Sequence, residues 1–234
     1  MKRITLFFDS KLFFYCLAAL TFCLITLTAI IFQQSPIRLL PFYVSIFVRI
    51  LHSRANRFGH LIGGFNAVLY GFVYMHYRLY GMMFYSFAFS FPLQVTTFLS
   101  WTKRAYGRSA AFRQLSWKLR GAAAVCGVAA YLGYVFFAQD TDASFVYLDS
   151  AITVLGIMSS TLTLFVCREY AYTSITHNAL SVLLYFMMTL QTPETATYLV
   201  FGIYALICSA RQFASVRRLW KKQLCERQAD CAAV

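Results

Sequence analysis

The side chains able to do chemistry are few, and their spacing does not gather them for catalysis. The acids are Asp9, Asp140, Asp142, Asp149, Glu169, Glu194, Glu226 and Asp230. All fall at the ends of apolar runs or outside them, with Asp140, Asp142 and Asp149 expected in one external loop. A reaction needs titratable groups brought together in a dry place, and a carboxylate inside an apolar run would mark a proton or sodium relay. Neither pattern is present. His52, His60, His76 and His177 have no HExxH spacing and no acid at helical distance, so hydrogen-bonded packing is expected of them rather than metal ligation. There is no GxxxxGK[ST] loop to hold ATP phosphates and no GxSxG nucleophile elbow. The seven cysteines include no CxxC pair and read as small buried hydrophobes. No catalytic residue, metal or cofactor is expected.

What the chain offers instead is neutral hydrogen-bonding groups inside apolar runs. Asn66, Gln94, Thr96, Thr97, Ser159, Ser160, Asn178 and Ser181 are of this kind. An amide in hydrocarbon is costly unless partnered. Its donor and acceptor suit the edge of a base, an amide or a ribose. The competing role is to join helices, each such bond being worth roughly 0.6–2 kcal/mol. Single Ser and Thr residues are assigned to that role, whereas Asn66, Gln94 and Asn178 are candidates for binding a solute. Tyr70, Tyr185 and Tyr198 stand inside or beside the same runs, where their rings would stack on a planar solute or hold a delocalised cation.

The elements that position these groups follow from composition. Of 234 residues, 60% are hydrophobic, 18% aromatic and 12% charged. Soluble domains carry about 25% charged residues. Residues 12–32 and 121–138 hold no charge and are long enough to span about 30 Å of hydrocarbon. The chain is therefore expected to be an all-α integral membrane protein of about eight transmembrane helices, at 12–33, 39–53, 60–77, 80–100, 121–138, 147–166, 172–190 and 195–213. Pro36, Pro41 and Pro193 fall at expected connections, and Pro92 predicts a kink or unwinding inside the fourth span. The first run is too long for a signal peptide and is expected to stay.

Charge placement supports this count. With the N-terminus inside, Lys2, Arg3, Lys11, Arg54, Arg57, the basic residues at 103–120, Arg168 and those from 211 onward all fall on the inner face. Arg38 and Arg78 fall outside. Arg49 lies near the inner end of the short second span, and whether it lies in lipid, snorkelling to the headgroups, or in protein is left open. Omitting any span after the first would place basic clusters on both faces, against the positive-inside tendency. The net charge of +13 is thus read as helix flanks rather than a nucleic-acid surface. The expected division is an N-terminal helix and flanks (1–37), a transport domain (38–220) and a cytoplasmic tail (221–234). Helices two to four and six to eight echo each other weakly, with a Leu-Tyr pair in the middle helix of each group, at Leu69-Tyr70 and Leu184-Tyr185. That pattern predicts two parallel three-helix repeats joined by a linker helix, plus an extra N-terminal helix.

The order of motifs then resembles the PnuC family of nicotinamide riboside transporters. The stretch Gly63-x-x-Asn66-x-x-Leu69-Tyr70, then Leu79-Tyr80-Gly81, Pro92-x-Gln94 and Trp101 carries the first half. Asp149, Arg168, Asn178-x-x-Ser181-x-x-Leu184-Tyr185 and Thr197-Tyr198-x-x-Phe201 carry the second. The likeness covers roughly residues 40–220. It implies a full-length arrangement like that of the SWEET sugar facilitators, transport by facilitated diffusion in a bacterial inner membrane with both termini cytoplasmic, and retention of the solute through phosphorylation by a cytoplasmic kinase. By position it implies a solute site at Asn66, Gln94, Asn178, Ser181, Tyr185 and Tyr198. Two departures bear on the solute. Thr97-Phe98-Leu99 stand where Gly-Trp-Tyr is common in the family, and Ser174 stands where a tryptophan is common. Carriers of thiamine, riboflavin or deoxynucleosides therefore stand beside nicotinamide riboside as alternatives, as does the membrane-embedded capture subunit of an energised importer. The first span lacks the AxxxA spacing by which such subunits usually dock. Assembly into homo-oligomers is left open, and the terminal Cys231-Ala-Ala-Val is discounted as a lipidation signal.

Overall fold

The computed structural model describes residues 11–53, 58–101, 105–106, 109–110 and 112–232. Asp9, Lys2, Arg3, Arg54, Arg57, Lys103, Arg104, Arg108 and the last two residues of the terminal Cys-Ala-Ala-Val lie outside the described residues. The chain forms helical rods α1 (Lys11–Ile31), α2 (Pro36–Ser53) and α3 (Phe58–His76). It continues as α4, made of Tyr80–Phe84, a π-helical segment Tyr85–Ser90 and Phe91–Trp101. Then come α5 (Trp117–Ala138), α6 (Val146–Leu164), α7 (Tyr170–Gln191) and α8 (Ala196–Ala232). Between α4 and α5, a two-residue antiparallel ladder pairs β1 (Ala105–Tyr106) with β2 (Ser109–Ala110).

Six rods, namely α1, α3, α4, α5, α6 and α8, are long and apolar enough to cross a membrane. α2 and α7 fall short in apolar character, although they have 18 and 22 residues. The reason lies in what they carry. α2 contains Arg38, Arg49 and Pro41, and α7 contains Ser174, His177, Asn178 and Ser181. Arg38 pairs with Glu194 at the helix end, and Arg49, Ser174, His177, Asn178 and Ser181 face inward rather than toward an apolar solvent, as described below.

Local signals explain most boundaries. Pro36 opens α2, where its missing N–H costs nothing. Pro41, expected at a connection, lies instead inside that helix. Unwinding expected around Pro92 takes the form of the π-helical segment that ends just before it. Proline cannot donate to the preceding turn, and a wider turn absorbs the misfit. Ser116 caps α5 by accepting from the Leu119 N–H at 3.4 Å. Pro193 opens a short 3₁₀ turn before α8. α8 runs on well past 213, so that most of the expected tail is helix. At 37 residues it is about 55 Å long.

Neighbours in sequence pack in space: α2 on α3, α3 on α4, α5 on α6, α6 on α7 and α7 on α8. α4 also packs on α6, which joins the two halves, and α1 lies against α8 and α2. Threonines and a glutamine hold α1 in place. Thr28 Oγ1 meets Thr197 Oγ1 at 3.0 Å, Thr26 Oγ1 meets Tyr43 OH at 2.9 Å, and Thr197 Oγ1 donates to Gln34 Oε1 at 3.1 Å. The main core gathers Phe42, Ile25, Leu79, Ile152, Leu184, Tyr198 and Tyr204. α5 lies at the rim, with Val125, Val128, Leu132, Phe136 and Phe137 pointing outward. In hydrocarbon that outward face carries no penalty.

On the basic side, the segment before α5 is tied to the turn between α6 and α7. Arg113 N donates to Val166 O, and Arg168 N donates to Arg113 O, each at 2.9 Å. Glu169 is the centre of this knot. It accepts from Arg120 Nη2 at 2.6 Å and from Leu115 N at 3.3 Å, with Arg168 at 3.7 Å. Partly buried charge-assisted bonds are worth about 1.5–3 kcal/mol. Glu169→Ala is therefore expected to lower the thermal midpoint of the purified protein by roughly 5 °C, from a loss of ~2 kcal/mol. A midpoint within 1 °C of the parent would show that the knot does not support the fold. Phe112, Val166, Tyr170, Ala171, Val216 and Trp220 form a second small core there, and Phe112 N donates to Gln223 Oε1 at 3.2 Å.

One carboxylate departs from its expected place. Asp149 was expected in an external loop with Asp140 and Asp142, yet it sits in the first turn of α6 and is fully buried. It accepts from Gly81 N at 2.7 Å and Met82 N at 3.0 Å.

Candidate functional site

A cavity of about 520 Å³ lies between α2, α3, α4, α6, α7 and α8. Pockets for small molecules are typically ~300–1,000 Å³. Its wall runs from Tyr74 and Tyr185 down to His60, Tyr170 and Leu219 near the basic ends of the helices. Above it the chain is closed by aromatic rings. Tyr74 OH and Tyr185 OH meet at 3.2 Å, Tyr70 stacks on Tyr74 at 5.6 Å, and Tyr198 packs edge-on against Phe42 at 4.7 Å and Tyr77 at 5.3 Å. Tyr77 lies in the turn after α3, and its phenol is held above the ordinary tyrosine range chiefly by burial, with the Glu194 carboxylate adding to it.

Five of the six expected site residues are on this wall: Asn66, Gln94, Asn178, Ser181 and Tyr185. Tyr198 is not. It lies one layer back, fully buried, with its ring 5.7 Å from that of Tyr185.

The three amides differ in what they have left to offer. Asn66 donates twice to α2, to Pro41 O at 3.0 Å and Ser45 Oγ at 2.7 Å. Ser45 Oγ donates in turn to Tyr70 OH at 3.1 Å. Of the Asn66 side chain, the carbonyl oxygen alone is without a partner among the described residues. Asn66 is therefore first a brace between α2 and α3. Asn178 donates to Ser174 O at 2.7 Å within its own helix and accepts from Arg49 Nη2 at 3.3 Å. Gln94 is the least constrained. Its amide nitrogen donates to Ser90 Oγ at 3.0 Å, and its carbonyl end lies over Gly63. A Cβ at Gly63 would come within 2.3 Å of Gln94 Oε1, so only glycine lets that side chain rest there. Gly63→Ala is expected to push Gln94 aside without unfolding the protein, since the obstacle is the tip of a flexible side chain. The KM for the transported solute should rise several-fold with the thermal midpoint little changed. An unaltered KM would mean that Gln94 does not touch the solute.

Of the hydroxyls, Ser159, Ser160, Ser181 and Thr97 line the cavity. Thr96 points outward and bonds back to Pro92 O at 2.8 Å. Ser160 Oγ meets Tyr85 OH at 2.8 Å, linking α6 to α4.

Several wall residues were not singled out from the sequence. Ser86 and Ser90 repeat at intervals of four before Gln94, a spacing that marks one helix face and could have shown them. His52, His60 and His177 also line the cavity. His177 Nδ1 meets Ile152 O at 3.0 Å, and the His52 and His60 rings lie 4.4 Å apart. Among the described residues, no three His, Cys, Asp or Glu side chains converge as metal ligands would. Arg49 belongs to this wall as well. Whether it lies in lipid or protein is open from the sequence; in the structure it lines the cavity and reaches Asn178 on α7.

The wall thus joins amides and hydroxyls to phenol rings, a surface suited to binding a small polar, flat molecule by hydrogen bonds and stacking. The family model described as "Nicotinamide mononucleotide transporter" matches residues 35–213. No curated protein sequence is significantly similar. A solved structure, described as the crystal structure of the vitamin B3 transporter PnuC, shares the fold with a TM-score of 0.62 at 17% identity, covering 85% of this chain and 92% of that one.

Proposed function

The chain belongs to the nicotinamide mononucleotide transporter family, and on that premise we propose that it carries nicotinamide riboside or a related vitamin precursor across a bacterial inner membrane by facilitated diffusion. It is a multi-pass membrane protein with several apolar helices. The observation that supports the reading best is the cavity itself. It is closed at one end by the Tyr74–Tyr185 pair and extends to the basic ends of the helices, with Gln94 and Asn178 on its wall. In this reading all eight rods cross the membrane, and the basic side with both termini is cytoplasmic. α2–α4 and α6–α8 act as two parallel bundles around α5, rocking about the cavity to expose it to either face in turn. A cytoplasmic kinase then traps the solute. Thiamine, riboflavin and deoxynucleosides would use the same mechanism, and Leu99 and Ser174, standing where the family commonly has tyrosine and tryptophan, keep them as alternatives. The test is uptake of labelled nicotinamide riboside into liposomes carrying the purified protein, with thiamine, riboflavin and deoxynucleosides as competitors. Saturable uptake of any of them that equilibrates without a gradient is expected. Absence of uptake of all these solutes by folded protein would overturn the facilitator reading.

A further inference from the structure

On the outer face, the one away from the basic helix ends, the groups α2–α4 and α6–α8 are joined along two seams of different build. The first lies where the turn between α3 and α4 meets α6 and the loop before it. Ser144 N donates to Arg78 O at 3.0 Å, and the fully buried Asp149 takes the Gly81 and Met82 N–H groups. Asp142 adds Arg78 Nη1 at 3.3 Å and the Tyr80 hydroxyl at 2.9 Å. Backbone of one half is therefore bonded directly to the other half at four points of this seam or its rim.

The second seam lies between α2 and the start of α8. Arg38, in the first turn of α2, is held by its own group of helices: Nη2 meets His76 Nε2 at 2.9 Å, and the guanidinium lies 6.0 Å from the Tyr77 ring centre. From there it reaches Glu194, 3.7 Å away in the turn that opens α8. Gln34 fixes that turn from the other side, donating to Glu194 O and accepting from Thr197 Oγ1 at 3.1 Å. Beneath the pair lie the Tyr77 and Tyr198 rings at 5.3 Å, then the Tyr74 and Tyr185 hydroxyls at 3.2 Å above the cavity. Every contact here is between side chains, and no backbone–backbone hydrogen bond crosses this seam among the described residues. Arg38 and Glu194 are 30% and 39% exposed, so water is at hand to replace the ion pair when it parts.

We infer that the Arg38–Glu194 pair is a latch on the outer face: the α2–α8 seam parts when the cavity opens to that face, and the α4–α6 seam around Asp149 is the pivot. This rests on the reading that the two bundles rock about the cavity. Release costs little because the pair is half in water, whereas parting the pivot would strand a buried carboxylate and the first N–H groups of α4. Gln34 is a positioning residue for Glu194.

The first test needs no solute. Ser86 lines the cavity on α4, below the rings, and is buried. Ser86→Cys places a thiol there, and its modification by a charged, membrane-impermeant maleimide is read by peptide mass spectrometry in sealed vesicles of either orientation. Arg38→Gln and Glu194→Gln are each expected to speed modification from the outer face about two- to fivefold, the range open to a half-exposed pair, without speeding it from the basic face. Arg38→Glu combined with Glu194→Arg should return the rate toward the parent. Unchanged rates in both single variants overturn the latch, and so does equal acceleration from both faces, which would report a loosened fold. The second test is uptake into liposomes. Arg38→Cys/Glu194→Cys joined by a reducible bis-thiosulfonate should lose at least about tenfold in uptake and regain it with reductant, while Arg78→Cys/Asp142→Cys joined in the same way should stay within about twofold. Undiminished uptake with the α2–α8 seam bridged, or equal loss with either bridge, overturns the assignment of latch and pivot and leaves the transporter reading intact. Absence of uptake in every form, the parent included, removes that reading instead, and the rates at Ser86→Cys then decide the latch.

Discussion

Asp149→Ala is expected to lower the thermal midpoint of the purified protein by about 6–12 °C, a larger change than any other single truncation on the basic or opposite face. α4 begins at Tyr80 with no side chain of its own turn to cap it. The first N–H groups of a helix have no partner within it. Here the partner comes from α6, where the Asp149 carboxylate takes the Gly81 and Met82 N–H groups at 2.7 and 3.0 Å. Negative charge at a helix start is also favoured by the peptide dipoles. Two charge-assisted bonds would be worth more than their net effect, because burying a carboxylate is itself costly. A net loss of ~3 kcal/mol, at about 2–4 °C per kcal/mol for a chain of this size, gives the stated range. Asp149→Asn keeps one acceptor and should fall between. The measurement is the temperature at which the detergent-solubilised protein loses its monodisperse elution peak. A shift under 2 °C in Asp149→Ala would mean that α4 is held by packing alone.

Asn178→Leu and Gln94→Leu are each expected to reduce uptake into liposomes by about ten- to a hundredfold while insertion and folding persist. Leucine matches the amide in size and keeps the wall filled. What is lost is a polar contact inside a low-dielectric cavity, where one such contact is worth about 1.5–3 kcal/mol when a charge takes part. For Asn178 the loss includes the hold on Arg49. For Gln94 it is the amide poised over Gly63. Both variants should elute and melt like the parent within about 3 °C, which separates them from Asn66, whose two donors brace α2. Normal uptake in both would remove these residues from the site.

The sequence carried the helices well because hydrocarbon leaves few ways to be wrong. A run of suitable length without charge must be helical, and the basic flanks fix its direction. The polar side of the cavity wall was legible as far as amides inside apolar helices stand out, and Gln94, Asn178 and Asn66 do. Two kinds of feature were hidden. Arg49 has no placement from the sequence because α2 is short, proline-bearing and close to a basic loop, and only the packing of α2 on α3 and against α8 shows that its face turns inward. Asp149 read as a loop acid because the loop and the first turn of α6 share one polar stretch, and its partners are backbone groups 67 and 68 positions away. The resemblance assigns Tyr198 to the site by position alone, and in the structure its ring lies one layer behind the wall, 5.7 Å from that of Tyr185.

The π-helical segment Tyr85–Ser90 has a consequence for how α4 tolerates change. Met82, Ser86, Ser90 and Gln94 all face the cavity, four positions apart. In an α-helix each residue turns about 100°, so four overshoot a full turn by about 40° and three such steps would carry the last residue about 120° out of line. A turn closed i to i+5 holds more residues and takes up that overshoot. Chain length through 85–90 therefore sets the direction in which Gln94 points, more than the identity of any residue there. Substitutions along this stretch leave the alignment in place, and a deletion of one residue lets it close as ordinary α-helix with Gln94 eleven positions after Met82 and only about 20° from it. An added residue has no such outlet and would rotate everything up to Trp101 by about a quarter turn or more, carrying the amide away from the cavity.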